Sequence, residues 1–334
     1  MSVVQLVMKT MPFLISRILV YALFGLISFL FLGLMIGISI LLFRWFEFGA
    51  GFFFFIIAAT FFTVLAGLRF LERYVLYMVK VGHIAVITEL LRTGKVPEGK
   101  SQVAYGKDQV VNNFGSANVA FVVDKIVYAA VRQIQRWMMR VGNFLGFIPG
   151  AKNIISIISK IMEVSLRYVD EAILSYIMVR KSEGKEESVW KSACDGVVLY
   201  AQSWKKIIMT AAGIVAFVYV LNIGVFLITV FPLMALANWI ANSAGVASFL
   251  GYIAVVGAYI ITSMVKRALI DPVATVAMVR AYQLNIKDME PSMDLQAKLL
   301  KVSGKFKSLF NKSKEDTHEI AATTQDEKGI TPSV

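Results

Sequence analysis

The sequence predicts an all-α, polytopic helical membrane protein with at least four transmembrane spans and a basic amphipathic helical central region. Three observations lead there. From Ile207 to Met264 there is no charged side chain. A bilayer-crossing helix needs about 20 apolar residues, so this stretch can cross twice. Two more uncharged runs, Ile18–Phe43 and Phe48–Leu68, are parted only by Arg44-Trp45-Phe46-Glu47. The chain is also 57% hydrophobic with a mean hydropathy of +0.69, and its apolar residues are gathered in long runs.

Taken in order, residues 1–68 read as a two-span hairpin. Lys9 and Arg17 mark a short interfacial helix at its start. Gly33 and Gly37 form a Gly-x-x-x-Gly pair that lets another helix approach, and Trp45 suits the headgroup level. Residues 69–206 are a basic amphipathic region, cytoplasmic or partly membrane-embedded. Arg69, Glu72, Arg73 and Lys80 share a polar face opposite Phe70, Leu71, Tyr74 and Tyr77. That helix ends at Thr93-Gly94. After a loop with Pro97 and Gly99 and a second helix, a third runs from about Asn112 to Arg140, with its 112–131 part at membrane depth despite Asp124-Lys125. Further helices are expected over 153–181 and 187–205.

Residues 207–265 form the charge-free hairpin, with spans near 207–231 and 245–265 and the first ended by Phe231-Pro232. An aspartate-bearing helix, 266–290, carries Asp271-Pro272. Residues 291–334 read as a polar cytoplasmic tail, basic and amphipathic over 295–314 and largely disordered.

Charge then bounds function. The net charge is +12, with basic residues flanking the apolar runs, which points to anionic lipid at the bilayer surface rather than to nucleic acid. The 232–244 turn has no basic residue, so the positive-inside rule puts it outside and both termini in the cytoplasm. A homo-oligomer remains open. One cysteine, Cys194, and two histidines, His83 and His318, leave no material for a disulfide framework or a metal cluster, and no cofactor is expected. With no nucleophile constellation or acid–base pair, the chain is not read as an enzyme.

Several motifs carry chemistry. Gly94-Lys95-Val96-Pro97-Glu98-Gly99-Lys100-Ser101 satisfies the P-loop pattern, with Gly94, Gly99, Lys100 and Ser101 as its defining residues. A P-loop needs a strand before it, whereas an amphipathic helix precedes this one, and Glu98 would stand where phosphate should sit. The match is therefore read as a loop between helices. Candidates for a substrate pathway are Asp271 and Asp124, because a carboxylate near hydrocarbon needs a partner or a purpose. Asn222, Tyr219 and Tyr259 in the hairpin join them through hydrogen bonding and cation–π contact. Asp271 has Arg267 four residues away as an ordinary partner. His83 and Cys194 read as packing residues. Arg73-Tyr74-Val75, Gly94-Lys95 and Gly106 are echoed by Arg167-Tyr168-Val169, Gly184-Lys185 and Gly196, a pattern of internal repetition.

From Phe114-Gly115-Ser116-Ala117 onward the chain resembles the choline transporter-like family. Val169-Asp170-Glu171 and Ser175-Tyr176-Ile177-Met178 are similar to that family's charged juxtamembrane helix. Gly184, Trp190 and Ser192-Ala193 follow, and Gly257-Ala258-Tyr259-Ile260 precedes the helix with Asp271. The likeness covers about residues 112–285. The chain departs from the family in being shorter, in having one cysteine and in lacking a large extracellular loop. The resemblance implies a transporter or channel-like protein for a small choline-like cation, without a covalent cofactor. The rival expectation is a non-transporting membrane scaffold that binds anionic lipid or a partner protein.

Overall fold

A computed structural model describes residues 1–45, 50–114, 117–142, 151–183, 187–241 and 243–329. Every regular element among them is helical: α1 Val3–Lys9, α2 Met11–Trp45, α3 Ala50–Thr93, α4 Gln102–Phe114, α5 Ala117–Gly142, α6 Ala151–Ser182, α7 Val189–Ile240, α8 Ala244–Val265, a π-helical turn Lys266–Ile270, α9 Asp271–Ile286, α10 Met293–Val302 and α11 Gly304–Gly329.

Helix length explains the architecture. α7 has 52 residues and runs roughly 80 Å at 1.5 Å per residue, more than twice the ~30 Å hydrocarbon core of a bilayer. Its surface divides accordingly. From Val189 to Ser203 most residues are buried in protein, Val197, Val198 and Tyr200 among them. Beyond Ile207 large apolar side chains stand exposed, including Met209, Val220, Ile228, Phe231 and Trp239. Water would not tolerate that patch, and hydrocarbon would cover it. Three described helical stretches are long and apolar enough to cross a membrane: Tyr74–Thr93 at the end of α3, Val189–Ile240, and Leu250–Ile286. Val3–Lys9 with Met11–Ile27, bent by 64° between them, makes a fourth if the pair is one span. α2 presents Ile15, Leu19, Leu23, Leu26 and Leu30 as one exposed apolar stripe. Phe48 and the turn before it lie outside the described residues, as do the side chains of Arg69, Glu72 and Arg73.

The central region is a helical bundle with its own core. The middle of α6 is surrounded: Tyr168 to Met178 are buried on every face, because α3, α5, α7 and α9 all pack on this helix. The stretch 112–131, expected at membrane depth, is not among the described stretches long and apolar enough to cross a membrane. α5 buries Ala120, Val123, Val127, Val131 and Ile134 against protein and turns Lys125, Arg132 and Arg136 outward, with Phe121 and Val122 also exposed. Lys80 likewise does not belong to a solvated face, since α6 packs over it.

Two boundaries also differ from expectation. Helix α7 continues through Pro232 to Ile240, because one missing N–H is cheaper than opening a helix along its packed hairpin partner α8. Residues after 291, expected as a basic amphipathic stretch over 295–314 in a largely disordered tail, form α10 and α11 in the described part, with Leu299, Phe306 and Leu309 fully buried against the bundle. Ser303 Oγ donates to Gln133 Oε1 at 2.8 Å, tying that junction to α5.

The echoed segments each fold as a helical hairpin, α3–α4 and α6–α7, with a glycine where the second helix crosses the first. A Cβ at Gly106 would lie 2.6 Å from the Gly82 carbonyl oxygen, and one at Gly196 would lie 2.9 Å from Ile173 Cγ2. Gly184 and Lys185 fall outside the described residues. Gly106→Ala is expected to destabilise the protein by about 1–3 kcal/mol, because its neighbour is backbone and cannot swing aside. Gly213→Ala, which meets open space, should be neutral or gain up to ~1 kcal/mol from helix propensity. Thermal unfolding of both variants in detergent checks the contrast; equal melting temperatures would refute the close crossing.

Candidate functional site

The densest buried polar group lies where α3, α5, α6 and α9 meet, next to the point where the long helices leave the bundle. Lys80 on α3 places Nζ 2.8 Å from Glu171 Oε1 and 3.9 Å from Asp170 Oδ2, both on α6. Asp124 on α5 completes the set; it is 2% exposed. Its Oδ2 lies 3.8 Å from Lys125 Nζ, while its Oδ1 is buried without a hydrogen-bond partner. Tyr77, one helical turn before Lys80, donates its hydroxyl to the Ala120 carbonyl oxygen at 2.7 Å, which holds α5 in place.

α9 closes the group through Thr275. Its Oγ1 sits between Glu171 Oε2 and the Asp271 carbonyl oxygen, 3.0 Å from the latter, with one hydrogen for the two acceptors. Asp271 accepts from Tyr168 Oη at 2.8 Å and pairs with Lys266. The expected partner was Arg267. The π-helical turn explains the exchange: Pro272 has no N–H, the Asp271 N–H bonds back to the Lys266 carbonyl, and residues five apart come onto one face.

Asp170 is the odd member. Its Oδ1 accepts the Glu171 N–H at 2.9 Å. Burial, before anything else, holds its carboxyl well above the usual range; Lys80 opposes this, and the negative charges of Asp124 and Glu171 reinforce it.

Of the residues picked out by sequence, Asp124 and Asp271 belong to this neighbourhood. Tyr219 and Tyr259 do not: they are exposed on the apolar surface of the hairpin. Asn222 is half-buried in that hairpin, with Oδ1 unpartnered. The P-loop pattern is a connector between helices. Gly94 and Gly99 take φ values of 80° and 85°, Lys100 Nζ binds Asp108 Oδ2 at 2.6 Å, and Ser101 Oγ caps α4 at the Ala104 N–H. His83 is fully buried and stacks on Phe13, with Arg17 Nη1 3.3 Å from its Nδ1. Cys194 is buried.

Lys80, Asp170, Glu171 and Thr275 were not picked as site residues. One signal pointed to them: the adjacent acids Asp170-Glu171 stand between Tyr168-Val169 and Ala172-Ile173-Leu174, in the stretch of α6 that packing covers on every side. No group of three or more metal-ligating side chains converges among the described residues. No family model, curated protein or solved structure matches this chain. Fold and site therefore define it as an all-helical protein, with apolar helices able to cross a membrane and a charged centre in its bundle.

Lys80→Met leaves Glu171 buried without its cation and is expected to cost about 3–5 kcal/mol. Thr275→Val, which removes one neutral donor to a carboxylate, should cost about 1–3 kcal/mol. Chemical or thermal unfolding of the two variants tests the ranking, and a Lys80→Met protein as stable as the native chain would contradict it.

Proposed function

We propose that the chain is a membrane transporter or channel-like protein for a small, choline-like cationic solute, with the acidic junction of α3, α5, α6 and α9 as the place that favours positive charge. The observation that carries this reading is the charge count. Three buried carboxyls, Asp124, Asp170 and Glu171, stand beside the half-buried ammonium of Lys80 and the largely exposed one of Lys125, and Asp124 Oδ1 has no hydrogen-bond partner. A cation entering a low-dielectric bundle pays a large desolvation cost, which buried carboxylates offset. Tyr77 and Tyr168 bring aromatic rings to the same neighbourhood. The resemblance to the choline transporter-like family leans the same way, and the basic flanks of the apolar runs support cytoplasmic termini.

A second reading, a scaffold that binds anionic lipid, is favoured by one observation: α11 carries exposed Lys305, Lys307 and Lys314 along its length.

Purified protein in liposomes is expected to take up labelled choline or another small organic cation, and Asp124→Asn should lower that uptake at least tenfold without changing the melting temperature by more than a few degrees. Absence of flux for a panel of cations, with tight binding to anionic vesicles, would transfer the case to the scaffold reading.

A further inference from the structure

Among the described side chains, the charges at the junction pair off with one carboxyl left over. Glu171 has Lys80 at 2.8 Å, and Asp124 has Lys125 at 3.8 Å. Among the described side chains Asp170 has the far side of Lys80, at 3.9 Å, and it accepts one backbone N–H; the side chains of Arg73 and Arg167 lie outside the described residues. It is 4% exposed, so water does not solvate a charge there. Around it, α9 supplies Thr275, and Asp271 is already matched by Lys266 and Tyr168. Tyr77 on α3 spends its hydrogen on the Ala120 carbonyl. No described side chain supplies the third positive charge that three carboxylates need. The described carboxyls also do not converge as a metal-ligand set.

We infer that Asp170 is a proton-binding site: its carboxyl holds one proton in the resting protein, which leaves two ammonium–carboxylate pairs and a neutral acid in the bundle. A proton is the one cation that needs no cavity. The buried Oδ1 of Asp124 keeps no hydrogen-bond partner and stays available to a ligand. The inference does not require that the chain carry a solute, so it stands or falls separately from the transport reading.

The linkage has a definite sign. The folded-state affinity of Asp170 for its proton exceeds that of the unfolded chain, so the folded state binds more protons. Stability is then highest below the unfolded carboxylate range and declines as pH rises from there through the folded-state value. This is opposite to the trend of an ordinary ion-paired aspartate.

The test is the melting temperature of the full chain in detergent from pH 4 to pH 8, at constant ionic strength, for the native protein, Asp170→Asn and Asp124→Asn. The neutral amide mimics the protonated acid. Asp170→Asn is expected to match or exceed the native protein near neutral pH and to flatten its decline, whereas Asp124→Asn should keep a decline that ends at lower pH, because Asp170 loses one negative neighbour. Infrared difference spectra over the same range should show a protonated-carboxyl C=O band that Asp170→Asn lacks. Three results would overturn the inference: a band and slope that vanish with Asp124→Asn instead, an Asp170→Asn protein that loses stability and retains the band, or a native melting temperature raised by sodium or potassium at fixed pH and ionic strength and lost in Asp170→Asn. The last would replace the proton with an alkali cation.

Discussion

The Lys80–Glu171 ion pair is the contact on which the bundle turns. It joins α3, which comes from the apolar N-terminal part, to α6, the helix that every other central helix touches, and Thr275 adds α9 to the same carboxylate. A pair this deep gives little net stabilisation over an apolar replacement, but removing one partner is costly, because the other is left charged and unsolvated. It works as a constraint on register. α3 cannot slide or rotate along α6 without stranding Glu171, so the ends of the long helices are held at one relative height.

Around that pin the protein resolves a conflict between solvents. α7 is lined by protein for its first third and bears large exposed apolar side chains afterwards, and the change comes near Lys205 and Lys206. α8 returns beside it and passes through the π-helical turn into α9, which re-enters the bundle and buries Tyr282 with its hydroxyl on the Gly196 carbonyl, 2.7 Å away. The apolar hairpin is thus tied to the charged centre at both of its ends. Any displacement of α7 against α8 would bear on Asp271, Thr275 and, through them, Glu171. That coupling links the acidic junction to the hairpin.

The acidic centre shows how burial changes what a residue means. Asp124 beside Lys125 reads in sequence as a local, self-satisfied pair, yet the two point to different surroundings: Lys125 is largely exposed, while Asp124 is buried with one oxygen bare. Asp271 keeps a cationic partner, but Pro272 and the π turn change which one. Tyr219 and Tyr259 look equivalent to Tyr77 and Tyr168 by composition. Only the second pair is drawn into the polar centre, because α3 and α6 face protein where the hairpin faces outward.

From sequence alone came the all-helical class, the long uncharged runs, the amphipathic spacing of the central region and the helix end at Gly94, since periodicity, hydropathy and turn chemistry are local properties. Asp124 and Asp271 were legible for the same reason: a charge in an apolar helix is conspicuous by its immediate neighbours. Three-dimensional packing decided the rest. It set which faces are covered by protein and which stay exposed, so α5 became a bundle helix and α10 and α11 folded onto the core. It also brought Lys80 to Asp170 and Glu171 across some ninety positions of chain, and no local pattern encodes which helices become neighbours. The lone proton site at Asp170 is of this second kind, because being the odd carboxyl depends on counting charges that meet only in the folded protein.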